Sequence, residues 1–114
     1  MSLGEIYWAN LVPRSSSEQT GRRPVIVISN DGFNQSTGWM SVIVVPVSTS
    51  PLQGRRRPTI VDLPAGSGGM AKASAICHQV TTLDRSKLVK RIGSLDQQAL
   101  AEIKEAVKGA MDLD

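Results

Sequence analysis

The stretch that decides the fold reads EQTGRRPVIVISND and spans residues 18–31. Its second half is a continuous β-branched and apolar run, which predicts a buried strand. The polar first half ends in Arg22 and Arg23, directly before Pro24. Proline fixes its own φ and favours an extended conformation for the residue before it, so Arg23 has little conformational freedom. A restrained arginine at the start of a strand is either the surface partner of an acid such as Glu18 or a positioned electrostatic catalyst.

Short β-rich segments lie on both sides of this stretch. The predicted strands are 5–12, 25–30, 40–48, 59–63, 72–80 and 87–93. Polar and turn-rich segments separate them, chiefly 13–24, 31–38, 49–58 and the glycine-rich 64–69, with a turn or short helix around TLDRS. Pro46 predicts an edge or a bulge near the end of the third strand. The pattern predicts a small, mostly antiparallel barrel.

The hydrophobic period changes near the C-terminus, where SLDQQALAEIKEAVKGAMDL (94–113) predicts one amphipathic helix. Ser94 and Gln97 form an S-x-x-Q capping box, so the helix is expected to begin just after Ser94. The expected apolar stripe consists of Leu100, Ile103, Val107 and Met111. This stripe is expected to pack on the barrel or on a second subunit.

The length of 114 residues predicts a single domain over 1–114. No apolar run approaches the roughly 20 residues of a membrane helix, and the N-terminus has no secretory pattern. A single cysteine, Cys77, cannot form an internal disulfide and suits a reducing cytoplasm. We therefore expect a cytoplasmic protein with no membrane association.

The net charge of +3 is unevenly distributed. Residues 1–94 hold 11 Lys or Arg and 5 Asp or Glu, whereas residues 95–114 hold 2 and 5. A basic body fits a polyanion or an acidic partner, and solubility alone is the alternative interpretation. The arginine run 55–57 is either a solvated loop tip or a contact to a phosphate backbone.

The residue inventory excludes several mechanisms. One Cys and one His, adjacent at 77 and 78, would point to opposite faces of a strand, which argues against a Cys–His nucleophile or a zinc site. The chain has no P-loop motif, and GSGG (66–69) is interpreted as a turn. Two-histidine nuclease chemistry is also excluded. Chemistry on a polyanion would therefore depend on arginines, carboxylates and hydroxyls, which returns attention to Arg23.

Four segments, in order, resemble the MazF/PemK family of toxin endoribonucleases. They are GEIYWANLVP (4–13), EQTGRRPVIVISNDGFN (18–34), VIVVPVSTS (42–50) and AICHQVTTLDRSKLVKRIGSLDQQALAEI (75–103). The resemblance implies an SH3-like antiparallel barrel of the MazF/CcdB type with a C-terminal helix. It implies metal-independent cleavage of single-stranded RNA by attack of the ribose 2′-OH, which leaves a 2′,3′-cyclic phosphate and a 5′-OH.

Site residues follow from the resemblance position by position. Arg23 would be the principal catalyst, Ser48 would donate a hydrogen bond to a nonbridging phosphate oxygen, and Glu18 would act as base or orient Arg23. The expected RNA-binding residues are Gly21, Arg22, Asn34 and Gln79. The role of Arg22 stays open, because it could hold RNA, move protons in place of Glu18, or be only a neighbour of Arg23. Loops 13–24 and 49–58 would flank the RNA groove and bring Arg14 and the run 55–57 near the backbone. Where the family commonly has an acid before Gln79, this chain has His78, which bears on base preference rather than on reaction type.

The resemblance also implies partners: a homodimer, and a cognate antitoxin whose acidic disordered segment folds across the basic groove. No metal or other cofactor is expected. One alternative is a non-enzymatic toxin of the same fold that poisons a protein target such as gyrase, as the related CcdB toxins do. Another is a plain SH3-like binding module, which would need a groove lined by the few aromatic residues of the chain.

Overall fold

The computed structural model of the chain describes residues 1–11, 21–49 and 59–113. The elements within these ranges are β1 (Glu5–Leu11), β2 (Gly21–Val27), α1 (Asp31–Asn34), β3 (Ser41–Ser48), β4 (Ile60–Asp62), β5 (Ser74–Ile76), β6 (Thr81–Asp84), β7 (Leu88–Ser94) and α2 (Gln97–Ala110). Short 3₁₀ turns occupy Ser67–Gly69, Cys77–Gln79 and Arg85–Lys87.

The strands form one sheet in the order β4-β5-β3-β2-β1-β7, and β6 pairs with the first half of β3. All of these pairs are antiparallel. The predicted fold class, antiparallel β-structure with one C-terminal helix, is therefore confirmed.

Both faces of the central strands are buried. Ile26 belongs to a cluster that includes Ile103 of α2, whereas its neighbours Val25 and Val27 belong to a second cluster with Ala9. A strand buried on both faces has no polar side to alternate with, which explains the unbroken apolar runs of β2 and β3.

The structure moves the start of the strand that carries the arginines. β2 begins at Gly21, four residues before the predicted position, so Arg22, Arg23 and Pro24 lie in the sheet rather than in a loop. Their pairing with β1 runs from Leu11 opposite Gly21 to Ile6 opposite Ile26. Pairing with a partner strand outweighs the local Gly and Pro signals, because strand preference depends strongly on context.

Of the two alternatives predicted at Pro46, an edge or a bulge, the edge strand was wrong. β3 is central: it pairs with β2 on one side and with β6 and β5 on the other. On that second side β3 pairs with β6 over residues 41–44 and with β5 over 47–48. Pro46 lies between the two segments, where β3 changes partner.

Three shorter predictions also need correction. The predicted strand 72–80 is only β5, and a 3₁₀ turn, Cys77–Gln79, follows it. The segment TLDRS (82–86), predicted as a turn or short helix, begins within β6 and continues into the 3₁₀ turn Arg85–Lys87, so the prediction holds only for its second half. The predicted loop 31–38 opens with α1, whose first turn is capped by the side chain of Asn30.

The C-terminal helix is confirmed, but its predicted cap was wrong. Ser94 is the last residue of β7, and the N-cap is Asp96, whose Oδ1 accepts a 2.8 Å hydrogen bond from the backbone N–H of Ala99. An aspartate two residues later supplies the same acceptor as the predicted serine.

The apolar face of α2 is centred differently from the predicted stripe. Its buried residues are Ala99, Ile103 and Ala106. Leu100 and Val107 are half-buried, and Met111 lies past the end of the helix, exposed. Two of the three buried positions are alanines, whose small side chains give a weaker hydrophobic pattern than the large side chains of the predicted stripe.

Candidate active site

The two strands that carry the predicted catalysts separate at two prolines. The ladder between β2 and β3 runs from Val27 opposite Val44 to Val25 opposite Pro46 and ends there. Pro24 on β2 and Pro46 on β3 have no N–H to donate to a ladder. Arg23 and Ser48 each lie two residues beyond this last pair, one on β2 and the other at the end of β3, where β3 pairs with β5.

Arg23 is fixed on its other side by β1. It pairs with Ala9, which is fully buried in the second core cluster, and its own side chain is half-buried. The backbone of Arg23 is thus held in the sheet while its long side chain can extend beyond the apolar cluster. An arginine held in this way offers a planar fork that matches two oxygens of a phosphate.

Arg22 points the other way. It pairs with Asn10 and is exposed, and successive strand residues project to opposite faces. The sequence left the role of Arg22 open, and the structure separates it from Arg23 by a full sheet face.

Ser48 ends β3 and belongs to a row of polar side chains across three strands. It lies opposite Ser74 on β5, and Ser74 lies opposite Asp62 on β4. Ser48 and Ser74 are buried, and the Ser74 hydroxyl donates a 2.8 Å hydrogen bond to Oδ1 of Asp62. Neither Ser74 nor Asp62 was predicted, because no local motif marks them; only the strand register brings them beside Ser48.

Gly21 occupies a backbone conformation that favours glycine. Its φ is +99°, and no heavy atom lies within 4 Å of the position a Cβ would take. The constraint is therefore conformational rather than steric. Glu18, Arg14 and the arginine run 55–57 lie outside the described residues.

Asn34 is fully buried, unlike a residue on an RNA surface. Its amide nitrogen donates to the carbonyl of Ser29 at 2.7 Å and to Oδ1 of Asp31 at 3.1 Å. Its Oδ1 accepts from the Ser29 hydroxyl at 2.5 Å. The structure uses Asn34 to close the turn after β2, and the Asp31 carboxylate also accepts a hydrogen bond from the backbone N–H of Leu3.

Gln79 is exposed on the 3₁₀ turn that follows β5, at the opposite end of β5 from Ser74. The structure therefore does not bring it directly beside Arg23 and Ser48. His78, on the same turn, is exposed, and its Nδ1 lies 2.9 Å from the hydroxyl of Thr59.

Cys77 differs from its neighbour in burial. It is fully buried, and burial raises the pKa of its thiol to about 11. Cys77 and His78 thus lie apart because one is inside and the other outside a 3₁₀ turn, and not because of strand alternation as predicted. A protonated, buried thiol is a poor nucleophile.

A second polar cluster surrounds Glu5 at the start of β1. Its carboxylate accepts hydrogen bonds from the backbone N–H of Ser2 at 2.6 Å, the Tyr7 hydroxyl at 3.1 Å and Arg91 at 2.7 Å. Burial raises the pKa of Glu5, but the hydrogen bonds from Arg91, Ser2 and Tyr7 together outweigh it, so the net pKa is lowered. The pKa of Tyr7 is raised by burial and by its bond to this carboxylate.

Within residues 1–11, 21–49 and 59–113, no group of three or more His, Cys, Asp or Glu side chains is arranged to hold a metal ion. Over the same ranges, no helix has the length and apolar character needed to cross a membrane.

The fold and the site define a small antiparallel β protein with an arginine and a serine just beyond the last rung between two central strands. Residues 2–111 match the family described as PemK-like, MazF-like toxins of type II toxin–antitoxin systems, and the chain belongs to that family. The predicted family is thereby confirmed.

Individual relatives agree with this assignment over nearly the whole chain. Endoribonuclease EndoA of Bacillus subtilis (strain 168) is 33% identical over 111 residues, covering 96% of this chain and 93% of the relative. Endoribonuclease MazF6 of Mycobacterium tuberculosis (strain ATCC 25618 / H37Rv) is 32% identical over 114 residues, covering 99% and 98%.

Solved structures share the fold. A MazE-MazF structure from Deinococcus radiodurans matches with a TM-score of 0.78 and 26% identity, covering 100% of this chain and 97% of the other. A mycobacterial endoribonuclease in complex with its cognate antitoxin matches with a TM-score of 0.80 at 21% identity, covering 100% and 97%.

Proposed function

We propose that this protein is the toxin of a type II toxin–antitoxin pair and that it cleaves single-stranded RNA. Family membership supports the class of reaction. The observation that supports the proposal for this chain is that Arg23 and Ser48 both lie two residues beyond the last rung between β2 and β3, on two neighbouring strands. A guanidinium and a hydroxyl on neighbouring strands suit a phosphodiester, which offers two nonbridging oxygens.

The reaction is a transesterification within the RNA. The 2′-oxygen forms a bond to the adjacent phosphorus, and the bond from phosphorus to the 5′-oxygen of the next nucleotide breaks. The 2′-OH proton goes to a base, and the leaving 5′-oxygen receives a proton. No water enters this step, so it requires no activated water molecule. The products carry a 2′,3′-cyclic phosphate and a 5′-OH.

Each residue has a defined task in this proposal. Arg23 stabilises the charge that develops on the pentavalent phosphorane, and Ser48 donates a hydrogen bond to a nonbridging oxygen. Glu18 acts as the base or orients Arg23. Ser74 and Asp62 hold the strand end beside Ser48 in a fixed conformation, because the hydrogen bond between them joins β5 to β4. Single-stranded RNA fits because its bases are free to splay and its 2′-OH is the nucleophile.

RNA-binding roles divide by exposure. Arg22 and Gln79 are exposed and remain proposed RNA contacts. Gly21 has no side chain, which lets the RNA backbone approach β2 closely. Asn34 acts at the site only through the turn that it closes, because its side chain is buried.

The proposed partners are a second copy of the chain and a cognate antitoxin. A ribonuclease acting on cellular RNA needs such an inhibitor, and complexes of related toxins with antitoxins have been solved. An acidic, disordered segment would complement the basic body of this chain. We place the protein in the cytoplasm, where messenger RNA is accessible.

A cleavage assay tests the proposal. The purified protein is incubated with a defined single-stranded RNA in excess EDTA, and the new 5′ ends are analysed. Discrete fragments with 5′-OH ends support the ribonuclease. Intact RNA at high protein excess, together with inhibition of gyrase supercoiling, would favour the alternative of a toxin that poisons a protein.

A further inference from the structure

The face of the sheet opposite to Arg23, which we call the outer face, carries an aromatic side chain flanked by cations near the proposed site. Trp8 lies on β1 directly opposite Lys90 of β7 on one side and Pro24 of β2 on the other. The next pair on this face is Asn10 opposite Arg22. Directly opposed residues have Cβ atoms about 5 Å apart and diagonal ones about 7–8 Å apart.

Trp8 lies just beyond the covered part of this face. Two residues earlier, Ile6 pairs with Ile26, and both are in the cluster that α2 covers. Trp8 is half-buried, and in the described part of the chain it packs against neither core cluster. Its partner Pro24 is buried and gives the indole a rigid neighbour. The ring therefore keeps open surface on a fixed support.

The charge of this face has one sign. Lys90 and Arg22 are exposed. Strands β1, β2 and β7 contain a single carboxylate, Glu5, and it lies on the opposite face, bonded to Arg91. An aromatic ring between two cations and an amide, with no acid among them, has the chemistry of a single-stranded nucleic-acid contact.

We propose that Trp8, Asn10, Arg22 and Lys90 form a nucleotide subsite next to the cleaved phosphate. This inference rests on the proposed function. A base stacks on Trp8, the Asn10 amide hydrogen-bonds to the base edge, and Lys90 and Arg22 contact the flanking phosphates. Arg22 and Arg23 are consecutive and face opposite sides of β2, so an RNA strand that crosses β2 at these positions meets both.

The chain's two tryptophans allow a direct binding test. Trp39 stacks on Phe33 with ring centroids 4.5 Å apart and lies beyond the far end of β2, so it is the matched control. The probe is a fully 2′-O-methylated single-stranded RNA, which cannot be cleaved because it has no free 2′-OH. In Trp39→Leu, whose emission comes from Trp8, the probe should quench fluorescence saturably. In Trp8→Leu, whose emission comes from Trp39, the probe should leave the fluorescence unquenched.

Kinetics gives a second readout. Trp8→Leu should raise KM for a long RNA roughly tenfold, since stacking contributes about 1–3 kcal/mol per base, and leave kcat close to wild type. Trp8→Phe should restore most of the affinity because it keeps an aromatic face. Lys90→Ala should lower the salt dependence of probe binding by about one phosphate contact. The control variant Lys104→Ala, on the exposed side of α2, should leave the salt dependence of probe binding unchanged.

The outcomes separate the two proposals. Wild-type cleavage with no response of Trp8 to the probe overturns the subsite and leaves the ribonuclease intact. Probe binding at Trp8 without cleavage of any RNA keeps the subsite and overturns the ribonuclease. Quenching of Trp8 by poly-glutamate as strong as that by RNA would instead assign this face to an acidic protein segment. If Trp8→Leu fails to fold by circular dichroism, Trp8→Phe and Lys90→Ala carry the test.

Discussion

Ser48 lies directly opposite Ser74 at the last described rung between β3 and β5, and both side chains are buried. The Ser74 hydroxyl in turn donates a hydrogen bond to Asp62, which links β5 to β4 at this position. The backbone of Ser48 is therefore held in a ladder that continues to β4. A donor held in this way is preorganised, which favours electrostatic stabilisation of a transition state.

Replacing Ser48 with alanine should slow RNA cleavage by roughly 10²–10³-fold, the usual loss when one transition-state donor is removed. Single-turnover rates on a defined RNA measure this effect. The matched control is Ser41→Ala at the exposed start of the same strand, which should cleave as wild type. A loss of less than about threefold in Ser48→Ala would make Ser48 a structural residue.

Glu5 should make stability pH-dependent in the acid range. Its pKa is lowered in the folded protein from an ordinary value of 4.5, so it contributes stability above that value and loses it as pH falls through the folded pKa. Glu5→Gln should therefore lower the free energy of unfolding at pH 7 and have a much smaller effect at pH 2.5. Urea titrations at the two pH values measure the difference.

Glu105→Gln serves as the control for Glu5→Gln, because each change removes one carboxylate from an ion pair. Glu105 lies 3.5 Å from Lys108 on the exposed surface of α2, and such pairs contribute little. An equal loss of stability in Glu5→Gln at both pH values would show that packing, rather than charge, explains the role of Glu5.

Cys77 should be chemically silent in the folded protein. Burial raises the pKa of its thiol to about 11, so little thiolate exists at pH 8 and reagent access is blocked. Iodoacetamide followed by mass spectrometry should show no adduct in buffer and one adduct in urea. Rapid stoichiometric labelling of the native protein would contradict the buried placement.

Asn34→Ala should destabilise the protein rather than weaken RNA contact directly. The change leaves the buried Ser29 groups without their partner, which costs about 1–3 kcal/mol. Chemical denaturation measures this loss, and Gln35→Ala on the exposed neighbour should change stability little. Unchanged stability with lost RNA affinity would instead support the RNA-binding prediction for Asn34.

The sequence predicted features that depend on strong local patterns. The apolar run after Pro24 predicted the central strand, and the helical period predicted α2, because burial on a fixed period leaves a readable signal. It misplaced features decided by pairing between distant segments. β2 starts at Gly21 because β1 is beside it, and β6 forms because β3 offers an unpaired edge.

The residues of the candidate site also fall into those that the sequence predicted and those that depend on strand register. The catalytic roles of Arg23 and Ser48 were predicted from the family resemblance, to which Pro24 adds the limited conformational freedom of Arg23, and both roles stay predictions. Ser74, Asp62 and the outer-face position of Trp8 depend on register between strands far apart in sequence. Asn34 was assigned to RNA from the family resemblance, whereas here its buried side chain hydrogen-bonds to Ser29 and Asp31.

The central claim is that Arg23 drives cleavage of RNA without a metal. The most direct test compares wild type with Arg23→Ala on one single-stranded RNA in EDTA and measures the rate at which 5′-OH ends form. The account predicts specific 5′-OH ends from wild type and a complete loss in Arg23→Ala, with the urea unfolding midpoint unchanged. Wild-type rates of 5′-OH formation by Arg23→Ala would contradict it.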